Sequence, residues 1–262
     1  MARARINKLV TDLSTMHRML GIGAVLRYLG ALARSAPTIL RAGNMLSADA
    51  AMGQGLFQVR HPAATVVLPG STFSGIREIY LRDVYGMAET LQVSDGGLIV
   101  DLGANVGNFT VLALKSKPNA RAVAVEANKD FAAPFNETMK RNGVNDRVQL
   151  CRAFIGSEGK VQRSVAADPR YADCEWIDEE TLLARYNITE IDLLKVDIEG
   201  SEFAFLNPAS RMLDISRQVA VEIHGFAGDA TKFLAALEAK GFKIFSVDWD
   251  GDCCIALARS NA

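Results

Sequence analysis

Val100-Asp101-Leu102-Gly103-Ala104-Asn105-Val106-Gly107-Asn108-Phe109-Thr110 decides the fold. The apolar run Leu98 to Leu102 reads as a buried strand, and the residues after it as a helix from Val106 to Lys117 that Pro118 stops. Between them, glycine at 103 and 107 lets the backbone turn sharply and approach a ligand closely. A dinucleotide-binding turn needs G-x-G-x-x-G to seat a pyrophosphate on the helix N-terminus, but Asn stands at both 105 and 108. The loop therefore reads as a nucleoside site without the phosphate fingerprint. The plain alternative is that Asp101 caps the helix and the glycines serve packing.

Working outward, strands and helices alternate. Arg121 to Glu126 is the second strand, followed by a helix from Lys129 to Arg141 that ends at Asn142-Gly143. Val148 to Cys151 is the third strand. After a polar insertion come a short helix at Glu179 to Tyr186, a fourth strand at Ile191 to Asp197 and a fifth at Gln218 to His224. A helix from Ala230 to Lys240 then leads into a hairpin made of Phe242 to Val247, the Asp248 to Asp252 turn and Cys253 to Ala258. This pattern predicts an α/β, mostly parallel, doubly wound sheet.

Glu126 closes the second strand 25 positions after Asp101, where a carboxylate can accept both hydroxyl protons of a ribose. Asp101, with the open backbone of Gly103, Ala104, Asn105 and Gly107, suits a ligand bearing an ammonium and a sulfonium, as S-adenosylmethionine does, and repels a phosphate.

The fourth strand and its exit, Ile191-Asp-Leu-Leu-Lys-Val-Asp-Ile-Glu-Gly-Ser-Glu202, resemble the FkbM family of S-adenosylmethionine-dependent methyltransferases. The similarity extends to Val100-Asp-Leu-Gly-Ala-Asn-Val-Gly107, Val125-Glu-Ala-Asn128, Asn142-Gly143 and Val221-Glu-Ile-His224, and spans roughly Phe73 to Ala258. It implies a class I, Rossmann-like methyltransferase fold with strand order 3-2-1-4-5-7-6 and an antiparallel strand 7, usually methylating a hydroxyl. Ala127 stands where the family commonly has proline, which affects loop stiffness more than chemistry. The resemblance carries Asp101, Gly103, Ala104, Asn105, Gly107, Glu126, Ala127, Asn128 and Asp197 to the cofactor site. Fold analogy puts the adenine ring at Ala153 and Phe154, beside Cys151.

Methyl transfer from a sulfonium is an in-line displacement, and a neutral hydroxyl acceptor must also lose its proton. The bases have to lie at the carboxyl ends of the central strands. The fourth strand supplies Asp197, Glu199 and Glu202, and the fifth supplies Glu222 and His224. Alternation puts Leu193, Lys195 and Asp197 on one face, and Glu222 with His224 on another. Lys195, inside an apolar strand, is expected to pair with Asp197 or Glu222 and orient it, or else to snorkel from a strand end. His224 is a candidate base because an unperturbed imidazole titrates near neutrality. Glu199 and Glu202 suit either a substrate role or the start of the next helix. Asp197, Glu222 and His224 also have the composition of a divalent-cation site, magnesium being the minority alternative.

Before this domain, residues 1–70 read as a helical extension with a short β segment, and residues 71–262 as the methyltransferase domain. Leu9, Leu13, Met16, Leu20, Val25, Leu26, Leu29 and Leu32 recur at helical spacing between basic residues. That pattern fits a helical cap or a homo-oligomer face, with a membrane-surface helix as the alternative. Gln58 to Leu68 reads as a short hairpin or an edge structure with a turn, and Ile76 to Glu89 as a lip over the site. Charged residues interrupt every apolar run short of a bilayer's thickness, and Arg27 spoils the one stretch resembling a signal peptide, so the cytoplasm is expected. With 29 Lys+Arg against 30 Asp+Glu no global field favours nucleic acid, and the expected partner is a small hydroxylated molecule. Cys151, Cys174, Cys253 and Cys254 lack zinc spacing and read as reduced thiols. A nicotinamide-dependent oxidoreductase is opposed by the glycine spacing and by the absence of a clear Tyr-x-x-x-Lys pair. An N-methyltransferase lacks its Asn/Asp-Pro-Pro-aromatic motif, and a non-catalytic nucleoside-binding protein is the third alternative.

Overall fold

A computed structural model describes residues 2–156, 163, 168–206 and 210–261. Most of the polar insertion after the third strand falls outside these residues. The chain divides into two compact units, residues 1–84 and 85–262. The division falls beyond position 70, the boundary expected from sequence, because the helical turns at 70–81 belong to the first unit.

In the first unit α1 (Ala2–Leu20), α2 (Ile22–Ala42) and α3 (Leu46–Ala51) precede the hairpin of β1 (Leu56–Arg60) and β2 (Thr65–Pro69), and the short α4 (Phe73–Gly75) follows it. The periodic leucines of the extension fall on two helices because Gly21, at φ 85°, ends the first. Tyr28, Phe57 and Phe73 pack ring against ring in the core. Buried Asp12 and Asp49 are satisfied by Arg82 and Arg77, and the Tyr28 hydroxyl donates to Asp49 at 3.0 Å. Buried carboxylates require such partners.

The second unit is a seven-stranded sheet. Its strands are β3 (Leu98–Leu102), β4 (Arg121–Val125), β5 (Val148–Cys151), β8 (Leu193–Val196), β9 (Gln218–Ile223), β10 (Phe242–Asp250) and β11 (Cys253–Ser260). The spatial order is β10-β11-β9-β8-β3-β4-β5, with β11 antiparallel to both neighbours and the other pairs parallel. In the numbering of the sequence reading this is 6-7-5-4-1-2-3, the class I methyltransferase order. The fourth strand is shorter than expected: Ile191 makes only an isolated bridge to Ser216, and the strand itself runs from Leu193 to Val196, with Asp197 N still donating to Leu102 O at 3.0 Å. Ala153 does not extend the third strand. It begins β6 (Ala153–Ile155), which pairs in parallel with β7 (Glu175–Ile177) in a separate two-stranded sheet.

The central strands are buried on both faces, as parallel strands between helices must be. Two helices flank the candidate loop: α5 (Asn108–Ser116) and α6 (Lys129–Arg141). α6 starts cleanly because the Asn128 side chain accepts from Asp130 N, an N-cap worth about 1 kcal/mol.

Candidate active site

At the carboxyl ends of β3, β4 and β8 lies a cavity of about 370 Å³. It is lined by the glycine loop (Gly103, Asn105), the end of β4 (Glu126, Ala127), β6 (Ala153, Phe154) and the β8 exit (Asp197, Glu199). This is the crevice where a doubly wound sheet reverses its winding.

The loop is tightly built. Gly103 has φ 77°, and a Cβ there would lie 1.7 Å from the Asp197 carbonyl oxygen, so no other residue fits between β3 and β8. Gly103 N and Ala104 N both donate to Val125 O. Gly107 serves packing: at φ 83° it begins α5, and a Cβ would meet Met139 and Phe135. Ala104 is buried and Asn128 caps α6, so both shape the site rather than line it.

Glu126 is held in place by two backbone donors, Asn105 N to Oε2 at 2.8 Å and Asn128 N to Oε1 at 2.7 Å. Burial raises its carboxyl above the ordinary range while these two N–H groups oppose the rise. Each oxygen keeps a second lone-pair site for a hydroxyl donor.

Asp101 is placed differently from the sequence expectation. It is fully buried and does not line the cavity. Its Oδ2 accepts from Thr110 Oγ1 at 2.5 Å, and its Oδ1 lies 3.2 Å from Lys195 Nζ, off a good hydrogen-bond line. Strand register explains the pair, since Asp101 and Lys195 are directly opposed in β3 and β8. Lys195 Nζ also donates to Gly103 O at 2.7 Å and sits 3.4 Å from Asp197 Oδ2. Burial alone lowers an ammonium's pKa, but Asp101 and Asp197 outweigh it and hold Lys195 above its usual value. Lys195 therefore ties loop, β3 and β8 together through Asp101 and Asp197.

The second cluster lies where β8 and β9 end. Glu202 is fully buried and accepts from Gly200 N at 2.8 Å, from His224 N at 2.6 Å and from His224 Nδ1 at 3.0 Å. His224 lies one residue past β9, and its Nε2 is 3.6 Å from Glu199 and 3.9 Å from Glu222. Burial works to lower the imidazole pKa, but the Glu202 hydrogen bond and charge, with Glu222 and Glu199, push it up to about 9. The expectation of an imidazole near neutrality is thus corrected: three carboxylates keep His224 protonated in the free protein at pH 7. Glu199, at φ 51°, is exposed on the cavity rim.

Tyr85, which sequence reasoning did not single out, joins the acids: its hydroxyl donates to Asp197 Oδ2 at 3.1 Å and lies 3.5 Å from Glu222 Oε2. Tyr85 falls in the segment read as a lip, but no motif marked it. Tyr171 and Phe226 also line the cavity, and Phe154 makes stacked contacts with Tyr171 (5.4 Å between centroids) and with Trp176 (4.4 Å). Tyr171 lies beyond the polar insertion, where sequence gives no register.

Residues 101–244, more than half of the chain, match the model of the methyltransferase FkbM domain. The chain belongs to the FkbM methyltransferase family. A curated relative, Methyltransferase 1 of Beauveria bassiana, is 23% identical over 202 residues, covering 64% of this chain and 80% of its own. Among solved structures, the precorrin-6y C5,15-methyltransferase of Geobacter metallireducens is similar at a TM-score of 0.45 and 14% identity, covering 66% of this chain and 84% of its own. Aeropyrum pernix fibrillarin, solved with S-adenosyl-L-methionine, is similar at 0.42 and 14%, covering 66% and 70%.

For a methyltransferase with S-adenosylmethionine as donor, the cavity fits in size and charge. Its volume lies in the range of roughly 300–1,000 Å³ typical of small-ligand sites. Where β8 and β9 end, Asp197, Glu199, Glu202 and Glu222 outnumber Lys195 and His224, leaving a surplus of negative charge for a cation; of these six, Asp197 and Glu199 line the cavity. A divalent metal fits less well. Ligand atoms of Asp197, Glu199 and His224 lie within 4.8 Å of one another, a set containing Glu199 where the sequence suggested Glu222. Ligation would require His224 to give up the proton that its carboxylates hold.

Proposed function

We propose that this methyltransferase moves a methyl group from S-adenosylmethionine to a hydroxyl of a small-molecule acceptor such as a sugar, with His224 as general base. When bound, the donor supplies an electrophilic methyl on a sulfonium. The residues of this chain do the rest. The loop at Gly103 and Asn105 offers backbone at close range, Glu126 accepts from ribose hydroxyls, and the Phe154 and Tyr171 rings provide a flat apolar wall for the adenine. Asp197, fixed by Lys195 and Tyr85, meets positive charge at the cavity's inner end.

The observation that carries the O-directed reading is the His224–Glu202 pair. A fully buried carboxylate fixes Nδ1 and orients the ring, leaving Nε2 3.6 Å from Glu199 on the cavity rim and 3.9 Å from Glu222. An alcohol needs such a base, because its proton must leave as the new C–O bond forms. A cation seated beside Asp197 shares the negative field that holds His224 protonated, and so lowers the imidazole pKa toward the working range.

The test is turnover with labelled S-adenosylmethionine against a panel of sugars and polyols, with products located by mass and NMR. The reading expects O-methyl products from the wild type and at least about a hundred-fold lower kcat for His224→Gln, at unchanged affinity for S-adenosylhomocysteine. Transfer to amines alone, or full turnover in His224→Gln at saturating acceptor, refutes it.

A further inference from the structure

The first unit carries an apolar seam that its own core does not use. α2 buries Ala24, Val25, Tyr28 and Ala31 on one face. On another, Ile22, Leu26, Leu29, Ala33, Ala36 and Leu40 follow one another at alternating steps of four and three. All six are exposed, Leu26 by 63% and Leu40 by 86%. At 1.5 Å per residue the seam runs about 27 Å along the helix. Four large aliphatic side chains in one line exceed the scattered apolar surface that soluble proteins normally show.

The exposed charge described on α1 and α2 has one sign. Lys8, Arg18, Arg34 and Arg41 are exposed on α1 and α2, whereas Asp12, the one acidic residue of these two helices, is buried against Arg82. Across residues 1–84 the sequence holds 10 Lys+Arg and 4 Asp+Glu, a net of +6, so residues 85–262 carry −7 of the chain's total of −1. A second copy suits this face poorly, because pairing two acid-free, basic faces offers no cross-helix ion pair, and Ala33 and Ala36 put small knobs at the middle of the seam. An anionic surface with an apolar interior satisfies both features: the aliphatic side chains enter the acyl boundary and the arginines meet the headgroups. No described helix is long and apolar enough to cross a membrane.

We propose that α2 docks this protein in the plane of an anionic phospholipid bilayer, with Ile22, Leu26, Leu29 and Leu40 inserted and Arg34 and Arg41 on the headgroups. The inference is independent of the methyl-transfer reading.

The test is co-sedimentation of the full chain with phosphatidylcholine vesicles with and without about 30% phosphatidylserine, in about 0.1 M salt. Binding to the anionic vesicles should exceed binding to pure phosphatidylcholine by at least about ten-fold and fall as salt rises. Leu26→Glu with Leu29→Glu should abolish it, and Arg34→Glu with Arg41→Glu should lower it at least about ten-fold, both at unchanged circular dichroism. If the leucine pair does not fold, Leu26→Ser alone makes the same test with a smaller loss. Absence of binding to anionic vesicles, equal binding to neutral ones, or undiminished binding by the folded leucine variant overturns the proposal. So does a wild-type dimer in light scattering that Leu26→Glu dissociates, because the seam then belongs to a second copy.

Discussion

Replacing Glu202 by glutamine removes one charge and changes the state of the imidazole on which the mechanism rests. Glu202 contributes the strongest interactions raising the His224 pKa to about 9; Glu222 and Glu199 add less, and burial pulls the other way. Without the Glu202 charge, the value should fall well below 9. The wild-type rise from 6.5 to about 9 corresponds to roughly 3 kcal/mol of differential interaction between the two protonation states, of which Glu202 carries the largest favourable part. Glutamine also turns one carboxylate oxygen into a donor facing either Gly200 N or the His224 amide, and a buried unpaired donor costs roughly 1–3 kcal/mol. The sign of the pH dependence follows from the raised value. In the wild type His224 stabilises the fold fully below its unfolded pKa of about 6.5, and this contribution is lost as pH rises through about 9. The charge-linked part of the variant's loss should therefore be confined below about pH 9, leaving above it only the pH-independent cost of the unpaired donor. The assay is NMR of the imidazole Cε1–H signals, which is tractable because the chain has only 3 histidines. A wild-type His224 titrating near 6.5, or one that Glu202→Gln leaves near 9, would refute the reasoning.

Other variants test the remaining parts of the site. Since kcat/KM reports ionisations of the free protein, it should climb with pH until about 9 in the wild type, and a profile flat from pH 6 to 9 would give the base role to a carboxylate. Asp101→Ala leaves Lys195 buried without its opposed carboxylate and should cost about 3–5 kcal/mol in urea unfolding, the penalty for breaking a buried pair; a loss below about 1 kcal/mol would show the pair to be dispensable. Gly103→Ala should abolish S-adenosylhomocysteine binding and lower the melting temperature, because its Cβ would overlap the Asp197 carbonyl; wild-type affinity in calorimetry would contradict the loop geometry. Adding or chelating magnesium should leave that affinity unchanged within about two-fold, and a larger dependence would reopen the metal reading at Asp197, Glu199 and His224.

The sheet was legible because each of its signals is local. Leu98 to Leu102, the glycine turn and Glu126 lie within one strand–helix–strand unit, so propensity, turn chemistry and spacing agree. The His224–Glu222 proximity was legible for the same reason, being two residues apart on one strand. What was hidden depends on pairing across strands. The Asp101–Lys195 bond follows from the register of β3 against β8, which no single sequence displays. Glu202 reads as a helix-start acid until the β8 exit folds it 3.0 Å from an imidazole 22 residues away. Tyr85 reaches Asp197 across 112 residues with no motif to announce it. The raised imidazole pKa was not legible because it depends on three carboxylates whose distances only the fold sets.

Calorimetric titration with S-adenosylhomocysteine beside NAD tests the central claim most directly. The account predicts saturable binding of S-adenosylhomocysteine that Glu126→Ala weakens by at least about ten-fold, and no binding of NAD, since no pyrophosphate fits the loop. Binding of NAD in preference to S-adenosylhomocysteine, or of neither, would contradict it.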